Sequence, residues 1–319
     1  MTNILLTGAT GFVGKAVADK IYQKDTFHLS VVVRNENQLQ DYPNRHLIPD
    51  LNGHISWKSA LDGVEVVIHA AARVHVMQES SSDPLTEFRK ANVEGTLNLA
   101  RQAAEAGVRR FIFISSIKVN GERTQPGKPF RPDDDPAPKD AYGVSKMEAE
   151  RALLELSAKV DMDVVIIRPV LVYGPGVKAN FLNMMKWLNS GVPLPLGAIH
   201  NKRSLVALDN LVSLILTCIE HPAAGNNVFL VSDGEDLSTT QLLRSISNAL
   251  NRKAILLPVP LWALKMAAVI FGRREFSRRL CSSLQVDIGK TCDLLNWRPE
   301  IKVDQAILKT TKHFLESRK

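Results

Sequence analysis

The apolar run Ile4-Leu5-Leu6 passes straight into Thr7-Gly8-Ala9-Thr10-Gly11-Phe12-Val13-Gly14. Three glycines at that spacing let a strand turn tightly into a helix. The turn brings backbone N–H groups against a dinucleotide pyrophosphate, whose charge the helix N-terminus favours. Glycine-rich turns also exist for purely structural reasons. Here the turn follows an apolar run and precedes alternating strand and helix patterns, which points to cofactor binding.

Short β-branched runs recur along the chain with helical patterns between them. After Ile4–Leu6 come Leu29–Val33, Val64–Ala70, Phe111–Ser115 and Val164–Arg168. Near-continuous apolar strands separated by helices indicate a parallel sheet covered on both faces, hence an α/β, doubly wound Rossmann architecture. The periodicity predicts helices at Lys15–Gln23, Leu85–Ala106 and Tyr142–Ala158, with Gly95 marking close packing inside the second. After Arg168-Pro169 the pattern changes to turns, short strands such as Val228–Val231 and the helix Thr239–Leu250. The expected layout is a cofactor-binding domain over 1–170 and a smaller substrate lobe over 171–319, some of whose elements return to the main sheet.

A formal net charge of +7 raises the question of nucleic acid. The Lys and Arg residues are scattered and lack aromatic interleaving, so nucleic acid is not expected as a partner. The densest basic run, Arg273-Arg274 with Arg278-Arg279, reads as a solvated helix face. Its functional alternative is attraction to an anion or a membrane surface. The apolar segment 254–272 is interrupted by Lys265, broken at its start by prolines and too short to span a bilayer. A buried or partly interfacial helix is expected there. Cys218, Cys281 and Cys292 form no metal-ligand spacing, so no metal is expected, and free thiols in a reducing cytoplasm are the plain reading. Met1-Thr2-Asn3 leads directly into the first strand, so no cleavable signal is expected.

Tyr142-Gly143-Val144-Ser145-Lys146 places a tyrosine and a lysine four apart on one helix face. A tyrosine with a pKa of about 10 is a poor acid or base at neutral pH. An ammonium nearby favours the phenolate and is expected to lower that value. With Ser115-Ser116 closing a strand between the glycine turn and this helix, the set suits proton and hydride exchange at an alcohol or ketone.

On these motifs the chain resembles the extended short-chain dehydrogenases/reductases that act on nucleotide sugars, the NAD-dependent epimerase/dehydratase family. The resemblance rests on TGATGFVG (7–14), HAAA (69–72), Asn92–Thr96, Ser115–Gly121, YGVSK (142–146) and Arg168-Pro169 leading to Tyr173-Gly174-Pro175. Arg203–Asp209, Asp287–Lys290 and Leu295–Pro299 extend it towards the C-terminus. It implies that Ser116, Tyr142 and Lys146 are catalytic, with Lys146 also holding the nicotinamide ribose. It implies cofactor contacts from Gly8, Gly11, Phe12, Val13, Gly14, Arg34, Asp50, Leu51, Ala70, Ala71, Ala72, Asn92, Tyr142, Lys146 and Pro169. Ser116, Lys178, Asn180 and Arg203 would hold a UDP-sugar, since cationic and amide donors suit phosphate oxygens. Arg73 and His75 are weaker candidates for the sugar. Family members often dimerise through helices like Leu85–Ala106 and Tyr142–Ala158.

Several positions depart from the family's better-known patterns. The second strand ends in Arg34, where NAD enzymes of this fold place an acid on the adenosine ribose. An arginine favours the 2′-phosphate of NADP. Ile117-Lys118 replaces the acids of sugar dehydratases, which argues against dehydration. Leu171 stands where familiar 4-epimerases carry asparagine. The stretches Ser116–Glu122 and Tyr173–Phe181 resemble a bacterial surface-polysaccharide subgroup of UDP-hexosamine 4-epimerases and 4-keto reductases. Arg34 and Leu171 tilt the reading to an NADP(H)-dependent 4-keto reductase, with a 4-epimerase as the alternative. A non-catalytic NADP-binding regulator and a membrane-associated protein using 254–279 are the readings from other classes.

Overall fold

The computed structural model describes residues 1–74, 83–270 and 280–317. Seven parallel strands form the main sheet in the order β3-β2-β1-β4-β5-β6-β9. They are β1 (Thr2–Thr7), β2 (Phe27–Val33), β3 (Arg45–Leu47), β4 (Val66–His69), β5 (Arg110–Ile114), β6 (Asp163–Pro169) and β9 (Asn227–Val231). Alternation along each strand divides the apolar side chains between two faces. Ile4, Leu6, Ile68, Ile112 and Ile167 face one cluster with Val17 and Leu211. Leu5, Val67, Phe111, Phe113 and Ile166 face the other with Leu99 and Leu153. Helices α1 (Phe12–Tyr22) and α6 (Leu208–Glu220) cover the first face; α3 (Thr96–Glu105) and α4 (Ala141–Ser157) cover the second.

The strand order reverses between β1 and β4. In such sheets the crevice beyond the strands' carboxyl ends at the reversal is the place for a ligand. The glycine turn follows β1 there, and Ala70–Ala72 follow β4.

A second sheet of β7 (Leu171–Tyr173), β8 (Arg203–Ala207) and β10 (Asp236–Leu237) lies beyond β6. With α5 (Ala179–Asn189), α7 (Thr239–Ala249) and the C-terminal helix Val303–Glu316 it encloses a third cluster, including Phe181, Leu205, Leu243 and Phe314. Tyr173 stacks on Phe181 with ring centroids 5.2 Å apart. Although both follow residue 170, β9 pairs with β6 and α6 packs beside α1.

The helix expected over Leu85–Ala106 is three pieces. Asp83 accepts from the Thr86 N–H and Pro84 starts α2 (Pro84–Arg89), a π-helical segment spans Lys90–Gly95, and α3 follows. Gly95 closes that segment at a close approach: a Cβ there would sit 3.0–3.1 Å from Leu51 C and Asn52 N. The Asp50–Asn52 loop rests on it. The helix expected within 254–272 is α8 (Leu261–Ile270), and it is not buried: Trp262 and Ile270 are largely exposed. No described helix is long and apolar enough to cross a membrane. The Arg273-Arg274 and Arg278-Arg279 run lies outside the described residues.

Candidate active site

The turn after β1 packs backbone against backbone on the segment that follows β4. Gly8 has φ +74, and a Cβ on it would lie 2.5 Å from Ala71 N and 2.6 Å from Ala70 C. A Cβ on Gly14 would overlap the Gly8 carbonyl, so glycine lets α1 start flush against the turn. Gly11, the N-cap residue of α1, supplies no side chain to cap the first-turn amides, and that turn carries no acid. Amides at Phe12 and Val13 without a side-chain cap, at the positive end of a helix, fit a dinucleotide pyrophosphate.

Arg34 directly follows β2 with an exposed side chain; its backbone N–H donates to Gln38 Oε1 at 3.2 Å. Asp50 is exposed too, accepting from Leu51 N at 2.7 Å. Asn92 is buried and fully engaged. Its Oδ1 accepts from Arg73 N at 2.8 Å, and its Nδ2 donates to Arg73 O and Ser145 Oγ, each at 3.0 Å. Both amide hydrogens are used, so Asn92 clamps the chain after β4 to α4.

Under the turn, His69 lies fully buried between two hydroxyls. Its Nδ1 is 2.7 Å from Thr7 Oγ1 and its Nε2 3.0 Å from Thr96 Oγ1. A neutral ring satisfies both with one N–H and one lone pair. Burial lowers its pKa from 6.5 to about 3, and Lys146 adds to the effect. Between those values the unfolded chain binds a proton that the folded chain refuses. Stability is therefore full above pH 6.5 and is lost as pH falls towards 3, by on the order of 4 kcal/mol. Urea unfolding at pH 7 and pH 4 measures this, and His69→Gln is expected to flatten the dependence; an equally steep dependence in the variant contradicts it.

Ser116 follows β5 and caps the 3₁₀ turn Ile117–Val119, accepting from Lys118 N at 3.3 Å. Tyr142 lies in the first turn of α4, where Asp140 is N-cap and accepts from Gly143 N at 2.7 Å. A Cβ on Gly143 would stand 3.1 Å from the Lys118 carbonyl, so a glycine there seats α4 against the Ser116 turn. The Tyr142 ring meets Phe88 edge-on at 6.1 Å, with Lys118 Nζ 5.7 Å from its centroid. Lys118 is ion-paired with Asp140. Ser115, one residue before Ser116, is buried with its hydroxyl unpartnered among the described residues, a donor available to a bound molecule.

Lys146 does not lower the Tyr142 pKa here. Its Nζ donates to Ile114 O at 2.8 Å and lies 4.2 Å from the Phe113 ring centroid. Burial pushes Lys146 down to about 7, partly offset by Glu150. Burial, then Asp140, pushes Tyr142 up to about 12. Desolvation outweighs the cation that the spacing alone suggested. Asp140→Asn keeps the cap acceptor, removes a negative charge and leaves Lys118 without its carboxylate. The basic limb of the kcat/KM profile is expected to move about one pH unit lower; an unmoved limb excludes this role for Asp140.

A cavity of about 600 Å³ opens beside Ser116, lined also by Pro169, Leu171, Asn180, Arg203 and Ser282. Arg203, at the start of β8, donates from Nη1 to Ser282 O at 3.1 Å, and burial lowers its pKa. Asn180 follows Ala179, held at φ +53. Lys178 stands apart: it is exposed at the N-cap of α5 and does not line the cavity. Arg73 lies 4.0 Å from Glu87 and near the Phe88 ring. His75 lies outside the described residues.

One buried cluster centres on Arg168, which enters the sequence reading only through the Arg168-Pro169 motif and with no role assigned to it. Arg168 donates to Glu150 at 2.6–3.1 Å, and its Nη1 donates to Asn120 Oδ1 and Pro132 O. The available signal was a single charge ending the apolar strand Val164–Ile167, which a buried partner must neutralise.

The model of the family described as NAD dependent epimerase/dehydratase matches residues 4–232. A Vibrio cholerae protein named UDP-glucose 4-epimerase is 46% identical over 99% of this chain and 96% of its own length. An Escherichia coli O157:H7 protein named N-acetyl-alpha-D-glucosaminyl-diphospho-ditrans,octacis-undecaprenol 4-epimerase is 30% identical over 90% of this chain and 88% of its own. Among solved structures, UDP-glucuronic acid 4-epimerase from Bacillus cereus, in complex with NAD, superimposes with a TM-score of 0.81 at 18% identity. It covers the whole of both chains, a likeness of fold.

Proposed function

The chain belongs to the NAD dependent epimerase/dehydratase family, and from that premise we propose that it is a UDP-sugar 4-epimerase working with NAD. The observation that carries the proposal is the seating of α4, the helix of Tyr142, against the turn that Ser116 caps. Ser116 lines the cavity that Asn180 and Arg203 share, and caps the turn against which Tyr142's helix is seated. The tilt towards a 4-keto reductase gives way to its alternative, because both curated relatives described above are named as 4-epimerases. NAD likewise displaces NADP as the proposed cofactor. Arg34, exposed and without a side-chain partner among the described residues, remains the residue that would accept a 2′-phosphate.

NAD held at the Gly8–Gly14 turn and Ala70–Ala72 would supply reversible hydride exchange at C4 of the sugar. Tyr142 takes the proton of the 4-hydroxyl as that carbon is oxidised, and returns it when the carbonyl is reduced on the other face. Ser116 donates to the same oxygen and stabilises its charge. Lys146, poised near neutrality by burial, would hold the nicotinamide ribose. Arg203 and Asn180 hold the diphosphate, on the lobe formed after residue 170.

A second reading is favoured by one observation, the exposed apolar face of α8. It is a sugar joined through diphosphate to a polyprenol, like the substrate in the E. coli relative's name. The diphosphate contacts would be the same. Purified protein given catalytic NAD and either member of the UDP-glucose/UDP-galactose or UDP-GlcNAc/UDP-GalNAc pairs is expected to reach one equilibrium from both sides. Stoichiometric NADPH consumption on a 4-keto UDP-sugar, with no interconversion, overturns the proposal in favour of the reductase.

A further inference from the structure

Trp262, Met266, Val269 and Ile270 fall at i, i+4, i+7 and i+8, a single stripe along α8. They are 67, 58, 47 and 75% exposed. Ile255 and Leu257, just ahead of the helix, are about half exposed. Isolated exposed apolar residues are ordinary on a protein surface, whereas a continuous stripe marks an interaction face. On the inner side Leu264 packs against the third cluster, as do Leu280 and Cys281 further along the chain. Ser282 and Leu284 then line the candidate substrate cavity. The exposed stripe and the cavity thus belong to one lobe.

Charge selects the occupant. Between 252 and 270 the sequence carries Arg252, Lys253 and Lys265 and no acid. A ten-residue helix is only about 15 Å long, half the hydrocarbon thickness of a bilayer, so α8 can lie on a membrane and cannot cross one. A second copy of the chain would bring one cationic segment against another. One short helix also offers much less than the ~800 Å² per partner that a stable dimer buries. We propose that α8 docks this protein onto an anionic bilayer surface, with the Trp262–Ile270 stripe in the headgroup–acyl boundary and the positive charge of the 252–270 segment drawing it to anionic headgroups. This holds whichever sugar is turned over, and its test needs no catalysis.

The full chain is sedimented at low salt with vesicles of phosphatidylcholine alone or with about 30% phosphatidylglycerol, an anionic surface of the kind such helices seek. Partition onto the anionic vesicles is expected to exceed that onto the neutral ones at least about tenfold. Trp262→Glu with Ile270→Glu is expected to lower it by a similar factor, while melting and epimerisation of a UDP-sugar stay unchanged because both side chains are exposed. Three results overturn the proposal: no co-sedimentation with anionic vesicles, equal partition of wild type and variant, or a dimer that the double substitution dissolves. Loss of epimerisation in the wild type would instead count against the catalytic reading alone.

Discussion

Tyr142→Phe is expected to lower kcat for C4 epimerisation about a thousandfold, within the range that a positioned acid–base group contributes. The hydroxyl has no hydrogen-bond partner among the described residues, so removing it strands no protein group. The ring keeps its contacts with Phe88 and Lys118. Stability is therefore expected to change by less than about 1 kcal/mol. Cofactor affinity should persist as well, because the glycine turn and Lys146 are untouched. Turnover measured beside a thermal melt and a cofactor titration separates chemistry from folding. A variant retaining more than a tenth of the wild-type kcat would remove Tyr142 from the proton transfer.

The second large effect is expected at Arg168. Arg168 and Glu150 are both almost fully buried, joined at 2.6 Å, with further guanidinium bonds to Asn120 and Pro132. Arg168→Met leaves the Glu150 carboxylate in the interior with its partner gone, which costs about 3–5 kcal/mol. That is a large share of the roughly 5–15 kcal/mol by which most domains are stable. Replacing both residues with Met removes the stranded charge, so the double variant is expected to recover most of the loss. Urea midpoints of wild type, single and double variants give the comparison. A double variant as unstable as the single one would mean that the bonds to Asn120 and Pro132, and not the stranded carboxylate, set the cost.

The contrast between these two sites explains what was legible in the chain. The Thr7–Gly14 turn and Tyr142–Lys146 are local: their chemistry depends on residues within one turn of each other, and spacing alone locates them. The sheet was legible for a similar reason, since each buried strand reads as an apolar run. Interactions across the fold were not. Arg168 reaches Glu150 on another element, and only the folded packing says that the pair is buried. The spacing of Tyr142 and Lys146 suggested a lowered tyrosine pKa, but spacing carries no information about desolvation, which dominates both residues. Gly95 announced close packing, and the partner, Leu51–Asn52, became visible only in three dimensions. Lys178 sits two residues from Asn180 in sequence, yet the N-terminus of α5 leaves it outside the cavity that Asn180 lines. The apolar segment 254–272 read as a buried or partly interfacial helix, and the exposed stripe of α8 removes the first of the two.

The central claim is that this chain inverts C4 of a nucleotide sugar with hydrogen leaving and returning to the same carbon. A UDP-sugar carrying deuterium at C4, incubated with the protein and catalytic NAD in ordinary water, tests it most directly. The account predicts that the epimeric product retains the deuterium at C4 and that no cofactor is consumed. Epimer free of deuterium, or product formed only in proportion to added NADPH, would contradict it.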